Sequence, residues 1–473
     1  MPEFDDLTRR DAVKLAGAAT VAAAVDRIAG APAIQKVKAA NNQVQYGMIG
    51  TGSRGSYLLK HLKGIDGGRC VAVCDINQLA LDRGAETIGN NPQKYKDYRE
   101  LLSRKDLDAV FVVVPLFLHF PVTKDALLAG KHVFCEKSLV HKPEEVHELR
   151  AMVTERPKQV LQVGLQRRYS RMYQAARAMV EKGLLGEVTH VHAQWHRNPG
   201  WKMKPEAGRL GNWRLFREYS GGLVGELASH QIDVADWMLG MTPESVLADG
   251  SLDFLKDGRD INDQVQLIFR YPKGRRMVFT SIPTSSHCPY LNAQRTEMGE
   301  MIMGTRGTLH ITVGFDPSAS TPPEAALPVG LWFQEPNPPK VEEKKKNEKF
   351  VAGASMKAAA AGQALPVLLD RDLIDKGDSF LEKEMKFARR WLYSKGIMAS
   401  YEDTNPVDTE LASFFNDVRE VKRPKANLEI GLQDSIAVIL SNLAIDEQRR
   451  VYFNEIEKMG KGAPAAKPVQ KTA

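Results

Sequence analysis

The stretch from Tyr46 to Asp75 constrains this chain more than any other. It reads Y-G-M-I-G-T-G-S-R-G, runs on through a helix-like segment, and closes on C-V-A-V-C-D. Val44–Ile49 is an apolar run of strand length, Gly50, Gly52 and Gly55 follow in G-x-G-x-x-G spacing, and Ser56–Lys63 predicts the first turns of a helix. Cys70–Cys74 predicts a second strand that ends on Asp75. A strand, a glycine turn and a helix in that order aim the helix amides at a pyrophosphate. Gly50 permits the turn, Gly52 lets phosphates approach the backbone, and Gly55 lets helix and strand pack closely; Ser53 and Arg54 lie in the same turn. Asp75, 20 residues beyond Gly55, is placed to accept from both ribose hydroxyls, and its charge opposes a 2′-phosphate. The expectation is a Rossmann domain holding NAD in preference to NADP.

The alternation continues. Helices over Gln78–Thr87, Tyr98–Leu102, Phe120–Ala129 and Glu144–Thr154 separate strands over Leu107–Pro115, Lys131–Cys135 and Val160–Val163. The near-continuous apolar run of Leu107–Pro115 suits a parallel strand covered on both faces. Ligands lie at the carboxyl ends of such strands, which here carry Gly50, Asp75, Pro115, Glu136 and Lys137. From Ser245 the pattern turns to hairpin-linked strands: Asp263–Tyr271, Arg276–Ile282, Glu297–Met303 and Thr308–Val313. The fold class expected is α/β, an N-terminal Rossmann domain followed by a C-terminal α+β domain with an open, largely antiparallel sheet. Expected boundaries are a leader over 1–40, the nucleotide domain over 41–165, a substrate domain over 166–458 and a disordered tail over 459–473. An insertion of loop-like, proline- and lysine-rich composition interrupts the second domain at about 317–406.

The second domain supplies the candidate chemistry. In Gly221–Trp237, helical spacing puts Glu226, His230 and Asp233 at i, i+4 and i+7 on one face. A carboxylate one turn before a histidine orients it and raises its basicity, as a general base requires; by spacing alone a buried structural His–acid pair is the commoner meaning. Arg167 and Tyr169 open a helix that runs to Lys182, and His196, Trp213 and Arg214 lie in or beside loops rich in aromatic, Arg and Asn residues. Such loops suit the apolar faces and many hydroxyls of a carbohydrate, and they equally suit ordinary loop packing. No second His or Cys cluster completes a metal site around Glu226, His230 and Asp233.

Three segments taken together carry a resemblance: G-T-G-S-R-G, V-V-P-L-F-L-H from Val113 to His119, and H-V-F-C-E-K-S from His132 to Ser138. They resemble the Gfo/Idh/MocA oxidoreductases, the family of glucose–fructose oxidoreductase and inositol dehydrogenase. Similarity runs from about Val44 to Val451, interrupted by the insertion. The family usually has Glu-Lys-Pro where this chain has Glu136-Lys137-Ser138. The resemblance implies that Pro115, His119, Glu136 and Lys137 lie beside the cofactor, that Lys137 also holds the substrate hydroxyl, and that His230 is the acid/base. Glu226 then stands where the family's D-x-x-x-H motif has Asp. The implied reaction is hydride transfer between a sugar or cyclitol hydroxyl carbon and bound nicotinamide. Two alternatives on the same fold are an NAD-dependent glycosidase that oxidises its sugar transiently and a non-catalytic sugar sensor. A homo-oligomer formed through the C-terminal sheet is also implied.

The N-terminus carries Arg9-Arg10, a weakly apolar Ala12–Val25 and a small-residue Ala31-Pro32-Ala33. This resembles a twin-arginine export signal, so a periplasmic or otherwise exported protein is expected. Elsewhere no segment is expected to approach the ~18 apolar residues that span a bilayer. The four cysteines, Cys70, Cys74, Cys135 and Cys288, have neither disulfide-framework nor metal spacing; Cys70 and Cys74 on one strand would be about 13 Å apart, beyond disulfide reach. An exported enzyme cannot easily recycle free NAD, so the cofactor is expected to be tightly held. The net charge of +7 is diffuse, with no basic stripe interleaved with aromatics, which argues against nucleic acid.

Overall fold

A computed structural model describes residues 43–196, 201–284, 298–313, 330–334, 365–369, 392, 395–397 and 405–459. The leader, Cys288, residues 197–200, most of the insertion and the tail lie outside the described residues.

The first sheet follows from the alternation in the sequence. Its strands are β1 (Val44–Ile49), β2 (Gly68–Cys74), β3 (Gln93–Tyr95), β4 (Ala109–Val112), β5 (His132–Glu136) and β6 (Leu161–Gly164). They pair in the order β3-β2-β1-β4-β5-β6, all parallel. Helices α1 (Ser53–Leu62), α2 (Gln78–Ile88), α3 (Tyr98–Leu102), α4 (His119–Leu128) and α5 (Pro143–Thr154) connect them. Side-chain caps start two of these where the sequence offers an acceptor: Asn77 accepts from Ala80 N and Asp97 from Arg99 N.

The sheet is not covered by its own connections alone. Helix α8 (Pro406–Glu420) returns from the far end of the chain, and Phe414 and Phe415 meet Tyr46, Phe111 and Phe134 at ring separations of 5.2–6.0 Å. Val407, Leu411 and Val418 complete that apolar face. Just beyond α8, Ala426 O accepts from Val163 N at 2.8 Å and so occupies part of the β6 edge. Helix α9 (Leu428–Glu447), with Asn427 accepting from Glu429 N, then packs on β6, α5 and the second sheet. By length and composition this 20-residue helix is apolar enough to cross a bilayer, contrary to expectation; two-thirds of its most apolar window is buried inside the fold.

The second sheet contains β7 (Val188–Trp195), β8 (Ser245–Ser251), β9 (Gln264–Arg270), β10 (Arg276–Ser281), β11 (Met298–Gly304), β12 (Thr308–Val313), β13 (Gly330–Gln334), β14 (Leu365–Leu369) and β15 (Val451–Tyr452). Their order is β14-β13-β12-β11-β7-β10-β9-β8-β15, antiparallel except for β10 on β7. Strands β13 and β14 fall inside the segment expected to be loop, because two short β-competent runs are masked there by flanking Pro, Lys and Ala composition. One row of the outer face reads Leu247, Ile268, Val278, His192, Met301 and His310 in register across five strand pairs.

Two helices differ from expectation. The predicted Gln166–Lys182 helix is a single 3₁₀ turn, Gln166–Tyr169, then α6 (Arg171–Glu181), broken at Ser170, whose side chain accepts from Tyr173 N. The segment before α7 (Ser229–Leu239) is a π-helix over Val224–Ala228.

Candidate active site

The glycine turn has the geometry that a dinucleotide requires. Gly50 adopts φ +94°, and a Cβ there would lie 2.2 Å from Val113 O. A Cβ on Gly55 would lie 2.0 Å from Gly50 O, so α1 sits as close to β1 as backbone permits. Gly52, in contrast, faces open space within 4 Å, leaving the amides at the start of α1, from Ser53 and Arg54 onward, approachable by phosphate. Asp75 at the end of β2 is held before any ligand arrives. Its Oδ2 accepts from Thr51 N at 2.8 Å and Thr51 Oγ1 at 3.3 Å, and its Oδ1 from Asn77 N at 2.8 Å. These residues fit a bound NAD.

The ends of β4 and β5 form the next wall. Pro115 precedes a one-turn 3₁₀ helix, Leu116–Leu118. Glu136 Oε1 accepts from Arg54 Nε at 2.7 Å, which ties the glycine turn to the end of β5. His119 is buried, with Nδ1 2.6 Å from Ser138 O and Nε2 2.9 Å from Val114 O. The two carbonyls favour an imidazolium, but burial is the larger effect and draws the ring below its ordinary value. With both nitrogens engaged, His119 braces the two loops at the end of β4 and β5.

Lys137 is half-buried and reaches across to the second domain, donating from Nζ to Gly225 O at 2.9 Å and Glu226 O at 3.1 Å. An ammonium has three N–H donors, so one remains for a substrate oxygen. The Lys137–Ser138 peptide is cis. His230, on the first turn of α7, is 6% exposed and its Nδ1 has no hydrogen-bond partner among the described residues. The Trp195 ring lies 5.7 Å from its ring. Burial, then the positive charges of Lys137, Arg167 and Arg54, hold His230 well below the ordinary histidine value, so it is neutral at neutral pH.

Several expected roles are corrected. Glu226 does not orient His230: its Oε2 accepts from Arg214 Nε at 2.9 Å, and no hydrogen bond joins it to the histidine among the described residues. The π-turn is the reason, since its wider turn breaks the i, i+4 alignment that an α-helix would give. Glu226 is charged nonetheless; Lys137 and Arg214 together outweigh burial and lower its carboxyl. Asp233 is held in a fork by Arg168 at 2.7–3.0 Å and is 3% exposed, so it serves packing between the 166–169 turn and α7. Arg167 is 7% exposed; it bonds Glu300, which also accepts from Tyr173 OH at 2.8 Å, and stacks 5.5 Å over Trp195. Tyr169 is buried in the core, its OH accepting from Ala426 N at 3.4 Å. Both side chains are buried and engaged within the fold. Trp213 and Arg214 remain partly exposed, with the guanidinium 4.3 Å over the indole, and His196 is buried at the end of β7.

Thr51, Arg168, Glu300 and Asp434 were missed. Each acts through a partner 24 to 296 positions away, a distance at which no local spacing carries a signal.

Comparisons with known proteins bear on the family and the fold. Residues 44–165 match the family described as an oxidoreductase family with an NAD-binding Rossmann fold, and residues 173–310 match the GFO/IDH/MocA C-terminal domain. Glycosyl hydrolase family 109 protein 2 of Shewanella sp. (strain ANA-3) is 34% identical over 194 residues, 38% of this chain and 42% of that protein. The chain therefore matches about two-fifths of the length of such curated relatives. Among solved structures, aldose-aldose oxidoreductase from Caulobacter crescentus, complexed with glycerol, superposes with a TM-score of 0.61 at 18% identity, covering 87% of this chain and 99% of that one. Scyllo-inositol dehydrogenase from Lactobacillus casei, with NAD(H) and scyllo-inositol, gives 0.58 at 19% identity with the same coverage. At these identities the structures establish a shared fold.

Proposed function

Because this chain belongs to the Gfo/Idh/MocA oxidoreductase family, whose first domain is an NAD-binding Rossmann fold, we propose that it transfers hydride between a sugar or cyclitol CH–OH carbon and NAD held along Gly50–Asp75. The observation that carries this reading is the pairing of Lys137, with one N–H unassigned, and a buried neutral His230 whose Nδ1 is unpartnered. NAD, when bound, supplies the hydride acceptor. Lys137 donates to the substrate oxygen and favours the alkoxide that forms as the C–H bond breaks. His230 takes the hydroxyl proton, a role open to it because burial first, and then its cationic neighbours, keep it unprotonated. Arg214, fixed by Glu226 and stacked on Trp213, offers its remaining donors to other hydroxyls.

A first test is cofactor retention. Purified protein, extensively dialysed and then denatured, should release stoichiometric NAD. Absence of NAD, with no binding of NAD or NADP afterwards, would sink the reading. The family 109 relatives favour a second outcome at the same site, glycoside cleavage with no net redox change on a tightly held cofactor. Accumulating NADH with a free sugar marks the dehydrogenase; sugar released from a glycoside without NADH accumulation marks the glycosidase.

Two further parts belong to this proposal. The row from Leu247 to His310 suits self-association into a homo-oligomer, since Leu247 and Ile268 are about 40% exposed on a broad sheet face. Arg9-Arg10 and the segment after it suit export to the periplasm; replacing both arginines by lysine should retain the protein in the cytoplasm, and unchanged export would refute that route.

A further inference from the structure

Ser138 stands where the family usually has a ring-constrained proline, and the structure shows what holds the loop in its place. Its carbonyl is gripped by His119 Nδ1 at 2.6 Å, and its hydroxyl donates to Asp434 Oδ2 at 3.1 Å. One residue on, Ser435 Oγ accepts from Leu139 N at 2.9 Å and Val140 N at 3.3 Å, while donating to Gly431 O. The C-terminal helix α9 thus holds three consecutive residues immediately after Lys137. Asp434 is 2% exposed and its second oxygen, Oδ1, has no partner among the described residues. A partnerless buried carboxyl oxygen is costly, and such groups concentrate where they have a role.

We propose that Asp434 is a positioning residue for Lys137, acting through the hydroxyl of Ser138 and through its own charge. This inference rests on the reading of Lys137 as the group that meets the reacting hydroxyl. Burial, then the like charge of Asp233, push the Asp434 carboxyl up to about 7, while Lys137, the Ser138 hydroxyl and Arg168 pull it down. Asp236 is a further titratable neighbour, which burial above all holds far above the usual carboxylate range and so neutral near pH 7. Asp434 therefore changes charge near neutrality, next to the loop that aims Lys137.

The test has two arms on the purified holoprotein. Infrared difference spectra across pH 5–9 should show a protonated carboxyl band lost with a midpoint near 7 and missing in Asp434→Asn. Ser138→Ala and Lys137→Met should each move that midpoint upward, because each removes a group that favours the ionised form. In the second arm, with whichever sugar the enzyme turns over, Asp434→Asn and Ser138→Ala should each lower kcat about ten- to a hundredfold with NAD affinity unchanged. The double variant should be no worse than the poorer single one. A midpoint that ignores both Ser138→Ala and Lys137→Met, or additive losses of kcat, would overturn the proposal. If no sugar is turned over by the wild type, the functional reading fails, while the infrared arm still decides whether Asp434 is coupled to Lys137.

Discussion

Thr51 and Asn77 already fix the Asp75 side chain, so on the proposed reading little reorganisation is needed when a ribose arrives. Replacing it by Ser should narrow the preference for NAD over NADP by at least about tenfold, or ~1.4 kcal/mol, in the ratio of the two Kd values; an unchanged ratio would place the selectivity elsewhere. His230 yields a prediction about pH. Its folded value lies below the ordinary 6.5, so between the two values the unfolded chain binds the proton that the native state refuses. Stability contributed by this residue is therefore present above about pH 6.5 and declines as the pH falls through that window. Thermal melting from pH 7.5 down to 5 should fall less steeply in His230→Gln than in wild type. The acid limb of kcat/KM from this base should likewise lie below pH 6.5. At this scale the sequence was legible where chemistry is local: the turn glycines and Asp75 could be named because strand, turn and helix specify them together. Glu226 was misread because a π-turn is invisible to a rule that assumes 3.6 residues per turn, and Tyr169 because an aromatic at a helix start looks the same in a cleft or a core.

Among the elements, α8 shows how much of the nucleotide domain lies outside its contiguous stretch. Phe414 is fully buried against Phe111 and Phe134, so Phe414→Ala should cost about 3–5 kcal/mol in denaturant unfolding. The same variant should weaken NAD retention, because the lost packing is on the sheet that carries the glycine turn; a loss under 1 kcal/mol, by about the same measure, would mean that the site collapses around the cavity. The six parallel strands were readable because each is a short apolar run bounded by a helix pattern. That a helix some 240 positions beyond β6 covers one face was not, since amphipathicity says that a face is buried and never against what. Strands β13 and β14 were hidden for a different reason: five-residue runs amid Pro and Lys carry too few side chains for a period to emerge.

For the whole molecule, the outer face of the second sheet is the feature with a consequence in solution. Ile268→Glu, at one of the two exposed apolar residues of that row, should shift the protein toward monomer in sedimentation velocity while leaving NAD binding intact. A monomeric wild type would refute the assembly. The α8 packing has its own consequence when the chain is followed in the order in which it is made. By the time residue 164 is translated, every strand of the cofactor sheet exists, yet the aromatic pair that roofs Tyr46 and Phe111 is still uncoded. Everything made between Gly164 and Phe414 emerges while that greasy surface is bare, a surface suited to chaperones. Vectorial synthesis cannot finish the cofactor half first; a chain stalled before Pro406 lacks β15 and α9 from the second sheet and has a nucleotide domain that is still open on one side.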